Sequence, residues 1–502
     1  MFRLATLAAC AAVCTAVVGS AQSLIATHYG MGMDDGELTP DRRLAVVREN
    51  TAFTTARIYD VATGQIRATV SPQQGTFSGA CQDAVAVTNT RAVVIGSCAM
   101  ILDLTNLANP LLAAHNIGFQ SRDVVITPDG TLAIIRGGKS IANYPGGSFV
   151  LDLSNGALLA SHPGEAGDVN NTTHTYDVDS VVTTNSYAVC TSILTPGPAA
   201  RTRVTIWDLH PAGGGAPVVA YETLSLGGPV DQAGAPHDVT LTPDGQYAAV
   251  RSEYSVGLYH LGGAAPSRVW HKRLWNHPGP MGFTSMDSIE ATNTRIATAS
   301  RYTGWTAYGA QVDVFDIAGN HWVDRIRGDP HDLVITPDSS KLVVRTHLAT
   351  YMYDLANLPG SLRIEPTSRH EMASTHTYYG AGYDSLQTTN TRLVAVARVN
   401  VSASVRIFNI ASGQLQLVAS FVLPEKPVDV DLSPDGHWMG VSGTSYVQLY
   451  DFTAATQVLN YDPSVDLVGW FPWCDGIEVE NDFALAWGYN DAQGGWLSLF
   501  DL

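Results

Sequence analysis

Asp123-Val124-Val125-Ile126-Thr127-Pro128-Asp129-Gly130-Thr131-Leu132-Ala133-Ile134-Ile135-Arg136 reads as two short strands joined by a turn. The flanks are β-branched and aliphatic, and Asp-Gly tolerates the positive φ angles of a two-residue hairpin. The pattern returns from Asp238 to Arg251 and from Asp332 to Arg345, and more loosely from Asp35 and Asp429. A second pattern, from Asp287 to Arg301, returns from Asp384 to Arg398 and more loosely from Asp83, Asp179 and Asp475. Here Asn-Thr-Arg is expected to form a three-residue turn. The two patterns alternate strictly along the chain. They make ten units of about 48 residues, the span of a four-stranded propeller blade.

Each unit carries the remaining strands. A third strand ends in apolar-Asp-apolar, as in Tyr59-Asp60-Val61, Leu151-Asp152-Leu153 and Tyr450-Asp451-Phe452. A more exposed fourth strand follows, such as Ala157 to His162. The tenth unit reaches Leu502 with its third strand, and Leu24 to Gly30 reads like the fourth strand Leu158 to Gly164. That N-terminal strand is expected to complete the last sheet and remove two exposed edges. The fold class is therefore all-β, a β-propeller of ten four-stranded units. A single ten-bladed ring is favoured because it keeps the alternation across the closure. Two five-bladed propellers are the alternative, and they would set like beside like.

The arrangement resembles the exported bacterial propellers built from YVTN-type and WD40-like repeats. The Asp-x-x-x-Thr-Pro-Asp-Gly runs and the apolar-Asp-apolar strand ends carry the resemblance. It implies the fold and is nearly silent on activity, since propellers serve as binding modules, lactonases, lyases and scaffolds.

Met1-Phe2-Arg3 followed by the apolar run Leu4–Val18 and Gly19-Ser20-Ala21 has the form of a secretory signal. Residues 1–21 are expected to be removed and 22–502 to form the propeller, exported to the periplasm or secreted. The run is too short to span a bilayer, and no later run is longer. The chain holds 46 acidic against 28 basic residues. That balance leaves no basic surplus to neutralise phosphates, which excludes a nucleic-acid partner. A monomer is expected. In an oxidising compartment Cys81 and Cys98, at the flanks of one hairpin, are the expected disulfide, with two buried thiols as the alternative. Cys190 reads as core.

An aspartate heads the first strand of all ten units. Hairpin arithmetic sets six of them opposite an arginine: Asp35 with Arg48, Asp123 with Arg136, Asp238 with Arg251, Asp287 with Arg301, Asp332 with Arg345 and Asp384 with Arg398. These read as structural pairs, because guanidinium can hold a carboxylate through two bonds. A pair near the surface is worth about 1 kcal/mol or less. Asp83, Asp179, Asp429 and Asp475 have no such partner, and Asp429, Asp475 and Asp83 fall on one arc of a closed ring. The segment entering unit ten contains Trp470, Phe471 and Trp473. Aromatic side chains beside uncompensated carboxylates make this arc the candidate ligand site, against the plainer reading that they plug a wide channel.

The leading functional reading is a non-catalytic propeller that binds a protein, glycan or other envelope ligand through its loop face, without cofactor. The alternative is a hydrolase or lyase acting on a lactone, sugar or phosphate ester. In that case Asp83, Asp429 and Asp475 would be metal ligands or acid/base groups, with Ca2+ as the candidate ion.

Overall fold

Each unit of the repeat forms one antiparallel sheet, made of four consecutive strands in units one to nine. In the computed structural model the described residues are 23–30, 33–50, 54–72, 84–96, 98–117, 120–138, 147–163, 180–193, 202–224, 236–252, 255–263, 265–274, 289–304, 307–328, 330–360, 363–371, 385–399, 402–424, 427–443, 446–461, 476–490 and 494–502. They form ten four-stranded sheets and contain no helix. Blade 3 is typical: Gln120–Ile126, Leu132–Gly138, Gly147–Asp152 and Leu158–Pro163 lie in that order from the channel outward. Blade 10 differs as expected. Its strands Ile477–Val479, Phe483–Asn490 and Gly494–Asp501 are completed by the N-terminal strand Ser23–Gly30, which pairs antiparallel with the last.

The sheets stack face to face, so an inner strand is buried on both sides and reads as a continuous apolar run. Leu132, Ala133, Ile134 and Ile135 show the consequence. Leu132 and Ile134 pack against blade 4 with Val181 and Cys190, while Ala133 and Ile135 pack against blade 2 with Val93 and Ile101. Fully burying such aliphatic side chains contributes about 1.5–3 kcal/mol each.

An apolar cluster of this kind fills every interface around the ring. Two of them decide the architecture. Ala249 and Leu258 of blade 5 pack with Ile289 and Phe315 of blade 6. Val47 and Tyr59 of blade 1 pack with Leu485 and Leu497 of blade 10. Two five-bladed rings would need blade 5 to close on blade 1 and blade 6 on blade 10. The protein is one ten-bladed propeller.

The turns differ from the sequence expectation in detail. Ile126 pairs with Ala133, so Pro128 to Thr131 form a four-residue connection and not a two-residue one. Of its residues only Gly130 has positive φ, at 70°. The Thr127 hydroxyl explains the longer turn, because it donates to Asp129 Oδ1 at 2.7 Å and accepts the Leu132 N–H at 3.0 Å. The centre of the turn is unchanged, so Asp123 still stands opposite Arg136. In the second pattern Thr292 closes directly on Arg295, which leaves a two-residue loop in place of three. Pairing there runs Ile289 to Thr298, one residue out of step with the spacing that set Asp287 opposite Arg301 and Asp384 opposite Arg398. Those two aspartates lie outside the described residues.

Alternation has a structural cause. The Asp129 N–H of a first-pattern turn donates to the Asn185 side chain of the following second-pattern turn at 2.8 Å. Asp41 with Asn89, Asp244 with Asn293, Asp338 with Asn390 and Asp435 with Asn481 repeat it. The repeating unit is thus a pair of blades. The apolar-Asp-apolar aspartates are turn formers: Asp152 Oδ1 accepts from the Ser154 N–H and hydroxyl at 2.8 and 2.6 Å. Cys98 and Cys190 are both buried. Burial pushes the Cys190 thiol up to about 12, consistent with a core residue. Cys81, the expected partner of Cys98, lies outside the described residues.

Candidate functional site

The first strand of each blade lines the channel, and one of its edges has no further strand to pair with. Its inward N–H groups need acceptors of another kind. The ring aspartates of the first-pattern blades supply them, and they do so across the blade boundary. Asp35 Oδ2 accepts from Ala84 and Val85 N–H at 2.6 and 2.7 Å. Asp123 Oδ2 accepts from Ser180 N–H, Ser180 hydroxyl and Val181 N–H at 2.8, 3.0 and 2.9 Å. Asp238 takes Ile289 N–H, and Asp332 takes Ser385 and Leu386.

Arg48, Arg136, Arg251 and Arg345 stand opposite these aspartates in the described registers. The arginines also reach to the next blade. Arg136 Nε donates to Thr191 O at 2.7 Å, and Arg251 donates to Thr298, Ala299 and Ser300. Both members of the Asp123–Arg136 pair are buried. The near-surface value of about 1 kcal/mol therefore does not apply, because breaking a buried pair leaves a desolvated charge.

Asp429 faces Ser442, as the spacing indicated. Its carboxylate is engaged all the same. Oδ1 accepts from Val430 N–H at 2.8 Å, and Oδ2 accepts from Gly476 and Ile477 N–H at 3.2 Å each. Asp83, Asp179, Asp475, Trp470, Phe471 and Trp473 lie outside the described residues.

The channel wall on this arc holds a second tier of acids that the repeat pattern did not single out. Asp431 of blade 9, Glu478 of blade 10 and Glu37 of blade 1 are neighbours around the ring. Asp431 Oδ2 accepts from Val479 N–H at 2.7 Å, Glu478 Oε2 accepts from Leu38 N–H at 2.7 Å, and Glu37 accepts from Val87 N–H. Each carboxylate again covers the edge of the next blade. The corresponding positions in blades 2 and 3 are Ala86 and Val125. A cavity of about 530 Å3 opens between this acidic wall and that apolar one. Asp35, Asp123 and Asp429 also line it. The legible signal was an acid just beyond the ring aspartate in three adjacent units.

Burial and crowding raise these carboxyls. Burial, with repulsion from Asp35, pushes Glu37 up to about 8. Burial, partly offset by the Val479 N–H and reinforced by Asp429, pushes Asp431 up to about 7. Burial, partly offset by Ser180 and Val181, pushes Asp123 up to about 6. Burial and the charge of Glu37 raise Glu478 well above its ordinary value. Ionising such a group costs more in the native chain than in the unfolded one. The stability contributed by these groups should therefore be fully present below about pH 4, where the unfolded carboxyls also hold protons, and be lost as pH rises through the native values. Turn aspartates such as Asp103, held down by the Thr105 hydroxyl, act oppositely and only below about pH 4. Urea unfolding between mildly acidic and mildly alkaline pH should show stability decreasing with pH. Glu37→Gln should raise it by about 1–2 kcal/mol near pH 8 and change it little near pH 5. Equal effects at both ends would contradict the assignment.

Among the described residues no three His, Cys, Asp or Glu side chains converge to hold a metal ion. No protein family and no curated protein matches the chain. Solved structures similar to it include a eukaryotic initiation factor, at 14% identity and a TM-score of 0.47, covering 87% of this chain and 89% of the other. The C-terminal WD40 domain of Sif2 matches at 11% identity and 0.43, covering 96% and 98%. BamB from Moraxella catarrhalis matches at 13% identity and 0.40, covering 75% and 97%. At identities this low the likeness concerns architecture and says nothing of a ligand.

Proposed function

We propose that this ten-bladed propeller is an exported, non-catalytic binding scaffold that engages a protein or glycan through the face where the inter-blade connections enter the first strands. The observation that carries the reading is the distribution of those connections. Those entering second-pattern blades are long: Val70 to Val85, Pro163 to Val181, Arg273 to Ile289, Glu371 to Leu386 and Tyr461 to Ile477. Most entering first-pattern blades are short, as from His115 to Gln120, Arg327 to Pro330 and Leu423 to Pro427; Leu224 to Pro236 is the exception. Identical blade topology brings the strand starts that these connections feed to one end of the channel. Long connections on a rigid frame are where binding residues concentrate.

Their composition supports the same reading. They carry Tyr176, Phe283, Tyr379, Trp470, Phe471 and Trp473, aromatic residues of the kind enriched in recognition surfaces. The N-terminal signal-like segment supports export. For the hydrolase or lyase alternative, Asp429 is poorly suited as a metal ligand or base, since both its oxygens already accept backbone N–H groups.

The test is a screen of the purified protein against an array of polysaccharide fragments and peptides. A ligand found there should bind Trp473→Ala about tenfold or more weakly, a loss of about 1.4 kcal/mol. The unfolding midpoint of that variant should stay nearly unchanged. Global unfolding of Trp473→Ala would show instead that the aromatic segment fills the channel as core.

A further inference from the structure

Two residues that line the channel cavity each carry a buried polar atom with no hydrogen-bond partner among the described residues, one an acceptor and one a donor. Glu37 Oε2 is buried and unpaired, although the other oxygen of the carboxyl takes the Val87 N–H. Trp487, 3% exposed, lines the same cavity, and its indole Nε1 is buried without an acceptor. Buried polar atoms are paired in folded proteins because each one left unsatisfied costs about 1–3 kcal/mol. Among the described residues the other acids lining this cavity, Asp35, Asp123, Asp429, Asp431 and Glu478, cover backbone N–H groups of a neighbouring blade.

Charge and shape narrow what would satisfy them. Asp431, Glu478 and Glu37 crowd one wall, so an anion is excluded and a cation is favoured. A bare metal ion fits poorly, because no three carboxylates converge among the described residues. The opposite wall presents Val85, Val87 and Val125, which suits a hydrocarbon body. A volume of about 530 Å3 is of the size that takes a small organic molecule.

From this geometry we infer that the cavity between blades 9 and 3 binds a small organic cation, a protonated primary amine that also carries a hydroxyl or carbonyl oxygen. The ammonium sits against Glu37 and Glu478, the oxygen accepts from Trp487 Nε1, and the carbon skeleton lies on the valines. This site is independent of any partner taken by the loop face.

Isothermal titration of the full chain at neutral pH, where the glucosamine amine is mostly protonated, tests it with three probes. Glucosamine, which has both the charge and the acceptors, should bind. N-acetylglucosamine, of similar shape but neutral, should not. Cyclohexylamine, with charge and no acceptor, should bind more weakly than glucosamine and equally to the native chain and Trp487→Phe. Glucosamine should lose about thirtyfold or more in affinity in Glu37→Gln and in Glu478→Gln. It should lose about three- to tenfold in Trp487→Phe. In Glu478→Gln the new amide oxygen can still accept from Leu38 N–H, and the unfolding midpoint reports whether each variant is folded. Comparison of the two sugars on the native chain decides the charge requirement even where a variant fails to fold. The proposal is overturned by equal binding of the two sugars, by calcium chloride displacing the amine, by amine binding unchanged in Glu37→Gln, or by no binding of any amine at millimolar concentration.

Discussion

Replacing Asp332 by alanine is expected to destabilise the ring by about 3–5 kcal/mol, near the upper end for a single substitution. The carboxylate is 0% exposed and holds the Ser385 N–H, the Ser385 hydroxyl and the Leu386 N–H at 2.8, 3.1 and 2.7 Å. It also stands opposite Arg345, whose guanidinium is 3% exposed. Burial lowers Arg345 to about 10, and the charge of Asp332 opposes that shift. Alanine removes the acceptor from two backbone donors and leaves a desolvated cation. These costs share one site and do not add. Asp332→Asn keeps an acceptor and loses the charge, so it should fall between alanine and the native chain. In Asp332→Ala with Arg345→Met the coupling should be visible as a double mutant no worse than Asp332→Ala alone. Urea unfolding followed by tryptophan fluorescence measures all four. A loss below about 1 kcal/mol for Asp332→Ala would mean that the ring aspartates are not what joins the blades.

The second large effect concerns closure. A chain lacking Ser23–Gly30 should lose more than about 4 kcal/mol and self-associate. The strand it lacks pairs along Gly494–Asp501, which carries the buried Trp496, Leu497, Leu499 and Phe500. Deletion bares that edge together with the adjoining face. It also removes two ties to the neighbouring blades. Thr27 hydrogen-bonds Tyr461 of blade 9 at 2.8 Å, and the His28 ring hydrogen-bonds Gly64 O of blade 1. Gly64 has φ of 66°, and a Cβ there would overlap Ala26, so the N-terminal strand is packed closely against that turn. Gel filtration should show larger species than the full chain gives, and a synthetic peptide of residues 23–30 added in trans should restore the elution volume of the full chain. A deletion variant that elutes like the full chain with an unchanged midpoint would refute the role of this strand.

Local features were legible where local physics decides them. First-pattern turn centres, strand order, the Asp-to-Arg registers of four units and the completing N-terminal strand could be read from period and turn chemistry. The turn lengths could not, because the Thr127 and Thr292 hydroxyls recruit neighbouring backbone groups in ways that composition does not reveal. The candidate site was legible only in outline. Asp429 was placed on an arc that the structure lines with Asp431, Glu478 and Glu37. Those three did not stand out, because the repeat signal lies in the position common to all ten units, whereas the cavity is made by a position where the units differ.

The sequence by itself determined the repeat, its two alternating forms, the all-β class and the strand that closes it. Hydrogen bonding within a blade is short-range, so a repeated pattern must give a repeated sheet. Only the tertiary structure decided that ten blades share one ring, because the clusters joining blade 5 to 6 and blade 10 to 1 depend on how sheet faces pack. It alone decided where the carboxylates point. A side chain on a channel-lining strand answers to the unpaired N–H groups of the next blade, and that neighbour is some fifty residues away in the chain, as with Asp35 and Val85. For the same reason Glu37 and Trp487, at opposite ends of the sequence, came to face one cavity.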